Sequence, residues 1–159
     1  MKYLLTTLIS LYIGLVQASV ITDKEAPNFA LMDSFGKTVS LSDFSGKNVV
    51  LEWTNHDCPF VAKHYKTGNM QSTQTYAQEN DAIWLTIISS APGTQGYVLS
   101  AKANELTASR NALPRHVLFD PEGNVGLTYG AKTTPHMYII DAKGTLRYQG
   151  AIDDAGGRG

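Results

Sequence analysis

The 159-residue chain contains a single cysteine, Cys58, set among residues that make a thiol reactive. The stretch Leu51-Glu-Trp-Thr-Asn-His-Asp-Cys58-Pro59-Phe-Val61 runs from an apolar strand through a short polar loop to a proline. Proline is tolerated at the first position of a helix, where its missing N–H has no intrahelical partner. Cys58 is therefore expected at the N-cap. There a thiolate can accept backbone N–H groups and feel the positive end of the helix dipole, and both favour the nucleophilic form. Asp57 opposes ionisation by like charge, while Lys63, His56 and His64 favour it. The alternative for Cys58 is a small buried hydrophobe, as free cysteines often are.

Other chemistries are weaker. His56, His64 and His136 could join Cys58 around a soft metal such as copper, but two ligands do not make a site, and no metal ligand set or cofactor is assigned. A side chain that simply faces water accounts equally well for His56 and His64. Trp53 fits the sheet core as well as it fits a place beside the loop. Asp120, Glu122, Asp141, Asp153 and Asp154 fall at strand ends and turns, where carboxylates serve turn geometry.

Composition bounds the partners. With 13 basic and 14 acidic residues the net charge is −1, which gives no electrostatic case for nucleic acid. Residues 1–18 read as a signal peptide: Lys2, an apolar stretch from Tyr3 to Val16, then Val16-Gln17-Ala18 with small residues at the cleavage positions. That stretch is short for a ~20-residue membrane span. The expected location is exported, periplasmic or extracellular, with no stable membrane span after cleavage. An unpaired cysteine in an oxidising compartment points to a reactive thiol or an intermolecular partner.

The elements that must hold Cys58 follow from periodicity. Residues 19–26 read as a flexible lead-in, residues 27–152 as one domain and residues 153–159 as a disordered or truncated tail. Asn28–Asp33 and Thr38–Leu41 form a hairpin about Ser34-Phe-Gly-Lys37. Val49–Trp53 is a central strand. A helical stretch from Pro59 to Glu79 breaks at Gly68-Asn69, with Asn69 as the second cap. Ala82–Ile88 is a strand, Thr94–Ser109 a helix, His116–Asp120 a strand, Asn124–Tyr129 a short helix, and Met137–Asp141 and Leu146–Ala151 a terminal hairpin. This alternation predicts an α/β fold with a mostly parallel sheet, an antiparallel edge and helices on both faces. In such sheets the reactive crevice lies beyond the carboxyl ends of the strands, where Cys58 sits.

The stretch from Leu51 to Val61, the later stretch Tyr129-Gly-Ala-Lys-Thr-Thr134-Pro135-His-Met-Tyr-Ile-Ile-Asp141, and the openings Ala26-Pro-Asn-Phe-Ala-Leu31 and Leu41-Ser-Asp-Phe-Ser-Gly-Lys47 resemble the peroxiredoxin/redoxin group, the alkyl hydroperoxide reductase and thiol-specific antioxidant-like proteins. The resemblance covers residues 26–153. It implies a thioredoxin-like fold, a central mixed β-sheet flanked by helices with an N-terminal β-hairpin. It also implies a cis Thr134–Pro135 bond facing Cys58, a peroxide or disulfide substrate, and an external thiol reductant. The departures narrow the reaction. Val61 stands where dithiol reductases carry a second cysteine, so no dithiol cycle can run within the chain. Leu51 and Asn55 replace the proline and threonine of the peroxidase pattern. The group's arginine is not identifiable among Arg110, Arg115 and Arg147, and its further helix past Asp154 has no counterpart in the sequence. The expected site is Cys58, with Asn55 stabilising charge and Thr134 and Pro135 positioning substrate. The competing expectation is a copper-binding or redox-inert module.

Overall fold

The computed structural model describes residues 20–154; the expected signal peptide and residues 155–159 lie outside that range. Seven strands form one sheet: β1 Ala30–Asp33, β2 Thr38–Ser40, β3 Val49–Trp53, β4 Ile83–Ile88, β5 His116–Phe119, β6 His136–Ile140 and β7 Leu146–Gly150. Their order across the sheet is β2-β1-β5-β4-β3-β6-β7. The helices are α1 Pro59–Lys66, α2 Asn69–Glu79, α3 Ser100–Ser109 and α4 Asn124–Tyr129.

The sheet is mixed, as the family resemblance implied, and less parallel than the alternation of elements suggested. Only the β3–β4 and β4–β5 pairs are parallel; β1–β2, β1–β5, β3–β6 and β6–β7 are antiparallel. Parallel neighbours need a crossover. Helices α1 and α2 supply one between β3 and β4, and α3 supplies the next. The chain then passes through the short α4 and returns down the outer side of β3, so β6 is antiparallel to it.

Alternation along the strands builds two layers of core. Val49, Leu51 and Trp53 share one face with Leu85, Ile87, Tyr138 and Ile140, and Tyr129 of α4 closes that face. The opposite face carries Trp84 and Met137 beneath Val61, Tyr65, Met70 and Ala77 of α1 and α2. Ala103 of α3 packs with Ile88, Val98 and Val117 beside them. Against this apolar pattern stands Glu52, in the middle of β3 and fully buried.

Three expectations need correction. Residues 20–26 are not a flexible lead-in. They run beside β7, with the Asp23 and Ala26 N–H groups donating to the carbonyls of Leu146 and Gly144 at 2.7 and 2.9 Å. Val20 and Ala26 are buried. The break after α1 is as expected, but Gly68, at φ 76°, takes the cap position and Asn69 begins α2. A left-handed turn favours glycine over asparagine there. Finally, α3 begins at Ser100, not Thr94. Gly93 and Gly96 both have positive φ, which no right-handed helix accommodates. Residues 94–99 instead form a loop over the segment leading to Cys58.

Candidate functional site

Strand β3 aims the polar loop and α1 receives it. Past Trp53 the pairing continues one step, with the Thr54 N–H donating to the Ile87 carbonyl at 3.0 Å. The chain then turns: the side-chain Oδ1 of Asn55 accepts the Asp57 N–H at 2.9 Å, and its carbonyl accepts the Cys58 N–H at 3.0 Å. Cys58 is the N-cap of α1, with φ −70° and ψ 125°, and Pro59 follows at the first helical position. The Cys58 carbonyl accepts from the Ala62 N–H at 2.9 Å, the first turn of the helix.

The thiol is partly buried. It lies 3.1 Å from the Thr134 carbonyl, to which it donates. The Thr134–Pro135 bond is cis. Burial pushes the thiol pKa up. The Thr134 side chain and the N–H groups of Val61 and Phe60 at the helix start outweigh that, holding it below the usual thiol value. The Thr134 carbonyl acts the other way, because it accepts only from the protonated thiol. Ionisation therefore gives up the contact with the Thr134 carbonyl.

Asn55 has a second neighbour that sequence reading missed. Its Nδ2 donates to the Gln95 carbonyl at 3.4 Å, and Gln95 Nε2 reaches back to the Asp57 carbonyl at 3.5 Å. A Cβ on Gly96 would stand 2.5 Å from the Asn55 side chain. The 94–99 loop thus clamps the Cys58 loop. The dense glycine spacing in Ala91-Pro-Gly-Thr-Gln-Gly96 was the signal that could have revealed it. The Asn55 amide faces this clamp; the expected contact with Sγ is not among its hydrogen bonds.

The charged residues fall elsewhere than expected. Asp57 turns toward His56, with Oδ1 3.3 Å from Nε2. His64 is buried rather than a surface residue. Its Nδ1 is 2.8 Å from Asn69 Nδ2, and its Nε2 is 3.5 Å from Asp153. Of the three arginines, Arg110 reaches the loop: its guanidinium lies 5.1 Å above the Tyr65 ring and donates to the His56 carbonyl at 3.3 Å. Arg147 is taken by Asp141 and Asp23 at 2.7 Å each.

His136 pairs with Trp53 across β3–β6, and its ring packs against Tyr138 at 4.7 Å on that face. Burial and nearby Lys132 hold its pKa below the usual histidine value. Cys58 packs with the cluster of Val61, Trp84 and Met137 on the opposite face. The two residues that a copper site would need are therefore separated by the sheet. Among the described residues no three His, Cys, Asp or Glu side chains gather as a metal ligand set.

Two buried networks brace this frame. Oε1 and Oε2 of Glu52 each accept from the Tyr65 hydroxyl at 3.1 Å. Oε2 also accepts from Trp84 Nε1 at 3.0 Å and Thr86 Oγ1 at 3.1 Å. Burial raises the Glu52 pKa, and these donors only partly oppose it. On the other face the Trp53 indole donates to Ser89 Oγ at 3.0 Å. Ser89 in turn donates to Asp120 at 2.6 Å, and Asp120 also accepts the Gly126 and Val125 N–H groups. Trp53 is thus core on one side of the reactive loop, and Asp120 is a turn carboxylate, as the sequence suggested.

Known proteins agree with this arrangement. A thioredoxin peroxidase of Fasciola hepatica is 29% identical over 142 residues, 84% of this chain and 72% of its own length. The thiol-disulfide oxidoreductase ResA of Bacillus subtilis (strain 168) is 30% identical over 118 residues, 67% of this chain and 66% of its own. The thioredoxin domain of a thiol-disulfide oxidoreductase from Bacteroides vulgatus superposes with a TM-score of 0.67 at 17% identity, covering 86% of this chain and 92% of that domain. This last likeness shows the thioredoxin-like fold. Residues 22–149 match the AhpC/TSA family model, and the chain belongs to the AhpC/TSA family.

Proposed function

We propose that this protein is an exported one-cysteine thiol oxidoreductase, in which Cys58 reduces a peroxide and an external thiol restores it. The observation that carries the reading is the placement of a partly exposed Sγ at the start of α1, 3.1 Å from the residue preceding the cis proline. The Cys58 thiolate attacks one peroxide oxygen, the O–O bond breaks, and the leaving oxygen departs with a proton as water or alcohol. Cys58 is left as a sulfenic acid. The N–H groups of Phe60 and Val61 favour the thiolate before attack. Thr134 and Pro135 border the sulfur and position the substrate. Asn55 shapes the loop through Asp57 and Gln95. Disulfide exchange at the same sulfur is the second reading, supported by the similarity to ResA.

Export rests on the N-terminal sequence. Among the described residues no helix is long and apolar enough to cross a membrane. Mass spectrometry after mixing reduced protein with equimolar hydrogen peroxide tests the reaction. A one-oxygen adduct that is lost in Cys58→Ser supports it. An unmodified Cys58 rules out the peroxidase and leaves disulfide exchange.

A further inference from the structure

Thr54 follows β3 and, by alternation, points to the same face of the sheet as Glu52. It is 8% exposed, and its hydroxyl oxygen has no hydrogen-bond partner among the described residues. The hydroxyl is near enough to favour the Glu52 carboxylate but completes no bond with it. Buried hydroxyls in native proteins are nearly always satisfied, by protein or by ordered water. Beside Thr54 lies a narrow cavity of about 40 Å³. The buried Thr54, Tyr65 and Thr86 line it, Ala103 of α3 forms an apolar wall, and the half-buried His56 and Arg110 stand toward the surface. A water needs roughly 10–15 Å³ of such space and about two to four polar partners. The cavity meets both conditions.

We infer that this cavity is a hydration site, holding ordered water bonded to the Thr54 hydroxyl, and that this water is the route by which the Glu52 carboxyl exchanges its proton with solvent. Glu52 is 0% exposed, so its proton must leave through a neighbour. Thr86 Oγ1 donates to Glu52 Oε2 at 3.1 Å and also borders the cavity. For the proton to leave, protonated Glu52 donates to the Thr86 oxygen while the Thr86 hydroxyl proton passes to the water. The water passes one of its own protons outward past His56 and Arg110, and the Thr86 hydroxyl turns back to the carboxylate. Each intermediate oxygen gains one proton and gives one up, so only Glu52 and the solvent change charge. The Tyr65 hydroxyl, bonded to Glu52 and bordering the same cavity, can serve in the same way. Trp84 cannot, because an indole donates and has no acceptor.

High-resolution diffraction reads the site directly. A water peak within about 3.2 Å of Thr54 Oγ1 is the expected result. Its absence, or a Thr54 hydroxyl bonded straight to Glu52, overturns the inference. Infrared spectroscopy reads the route. At a pD where Glu52 carries its proton, its C=O stretch is identified by its loss in Glu52→Gln. On transfer of the protein into deuterium oxide that band should shift while the amides of Leu51 and Leu85, in the central strands β3 and β4, are still protonated by NMR. A band that shifts only at the pace of those amides shows that the proton leaves by opening of the sheet, and it removes the route. So does a folded protein in which the protonated band never appears. Thr54→Val keeps the side-chain shape and removes the hydroxyl. It should slow the shift of the band and lower the urea midpoint. An unchanged rate, or a midpoint that rises, means that the hydroxyl had no water to lose and overturns the assignment. If Thr54→Val does not fold, the diffraction and the comparison with the wild-type amides decide.

Discussion

Replacing Glu52 by glutamine should make the protein's stability less dependent on pH, in a direction the structure dictates. Glu52 is fully buried and contacts only neutral donors, from Tyr65, Trp84 and Thr86. Burial raises its folded pKa above the unfolded value of ~4.3. A raised carboxyl binds more protons folded than unfolded. Its stabilising contribution is complete below ~4.3 and is lost as pH rises through the folded pKa. The limiting slope for one proton is ~1.4 kcal/mol per pH unit. Glutamine keeps an acceptor for Trp84 and Thr86 and turns its amide toward the Tyr65 hydroxyl, which can accept. The stability of Glu52→Gln minus that of the wild type should therefore grow as pH rises above the unfolded value. Other titrating groups are present in both proteins and cancel in the difference. Urea unfolding at a series of pH values measures it. A flat difference, or one that shrinks as pH rises, would refute the raised pKa. Glu52→Leu sharpens the test. It leaves the Tyr65, Trp84 and Thr86 donors without their acceptor, at ~1–3 kcal/mol each. The sum is comparable to a typical total stability of ~5–15 kcal/mol. This variant should fold poorly at every pH.

The remaining predictions concern the loop and the hairpin. Iodoacetamide alkylation of Cys58 plotted against pH should have its midpoint below the ~8.5 of a free thiol, because the Thr134 side chain and the helix-start N–H groups outweigh burial; a midpoint at or above that value removes the activation. Gly96→Ala should cost ~1 kcal/mol or more, since its φ is +84° and the new Cβ would meet Asn55 at 2.5 Å, and should slow Cys58 alkylation at fixed pH; Gly93→Ala, with open space around it, supplies the strain-only control. Asp33→Asn should destabilise the protein at neutral pH by ~1–3 kcal/mol through its contacts with His116, Phe35 and Lys37. Burial pushes the Asp33 pKa up, but those contacts bring it below the usual carboxylate value. Its contribution is thus present above ~3.9 and lost as pH falls through the folded pKa. Wild type and variant should converge in acid unfolding, and a gap that persists at low pH would contradict this.

Much of this protein follows from local rules. Apolar runs mark β3 and β4. Gly68 and Pro59 punctuate α1 as expected, because a left-handed turn and a helix first turn each demand particular residues. The lone cysteine before Pro59 is enough to set a thiol at a helix start, and Val61 is enough to exclude a dithiol cycle. The two hairpins were legible, but the direction of β6 against β3 was not. Whether β6 pairs parallel or antiparallel to β3 depends on which end of the sheet the chain reaches after α4, a long-range matter. The 94–99 segment was misread because Tyr97, Leu99, Ala103 and Leu106 mimic helical spacing, whereas Gly93 and Gly96 impose turns that bring Gln95 onto the Cys58 loop.

Glu52 shows the division most sharply. In the sequence it is one polar residue within an apolar strand. Only the folded sheet, by stacking β3 against β4 and laying α1 across both, surrounds it with Tyr65, Trp84 and Thr86. The same assembly parts His136 from Cys58 on opposite faces and brings Thr134, 76 residues away, to the sulfur. Residue type and spacing determined that the lone thiol stands at a helix start. Tertiary contacts, formed between segments distant in the chain, decided what surrounds it and hence its ionisation and its neighbours.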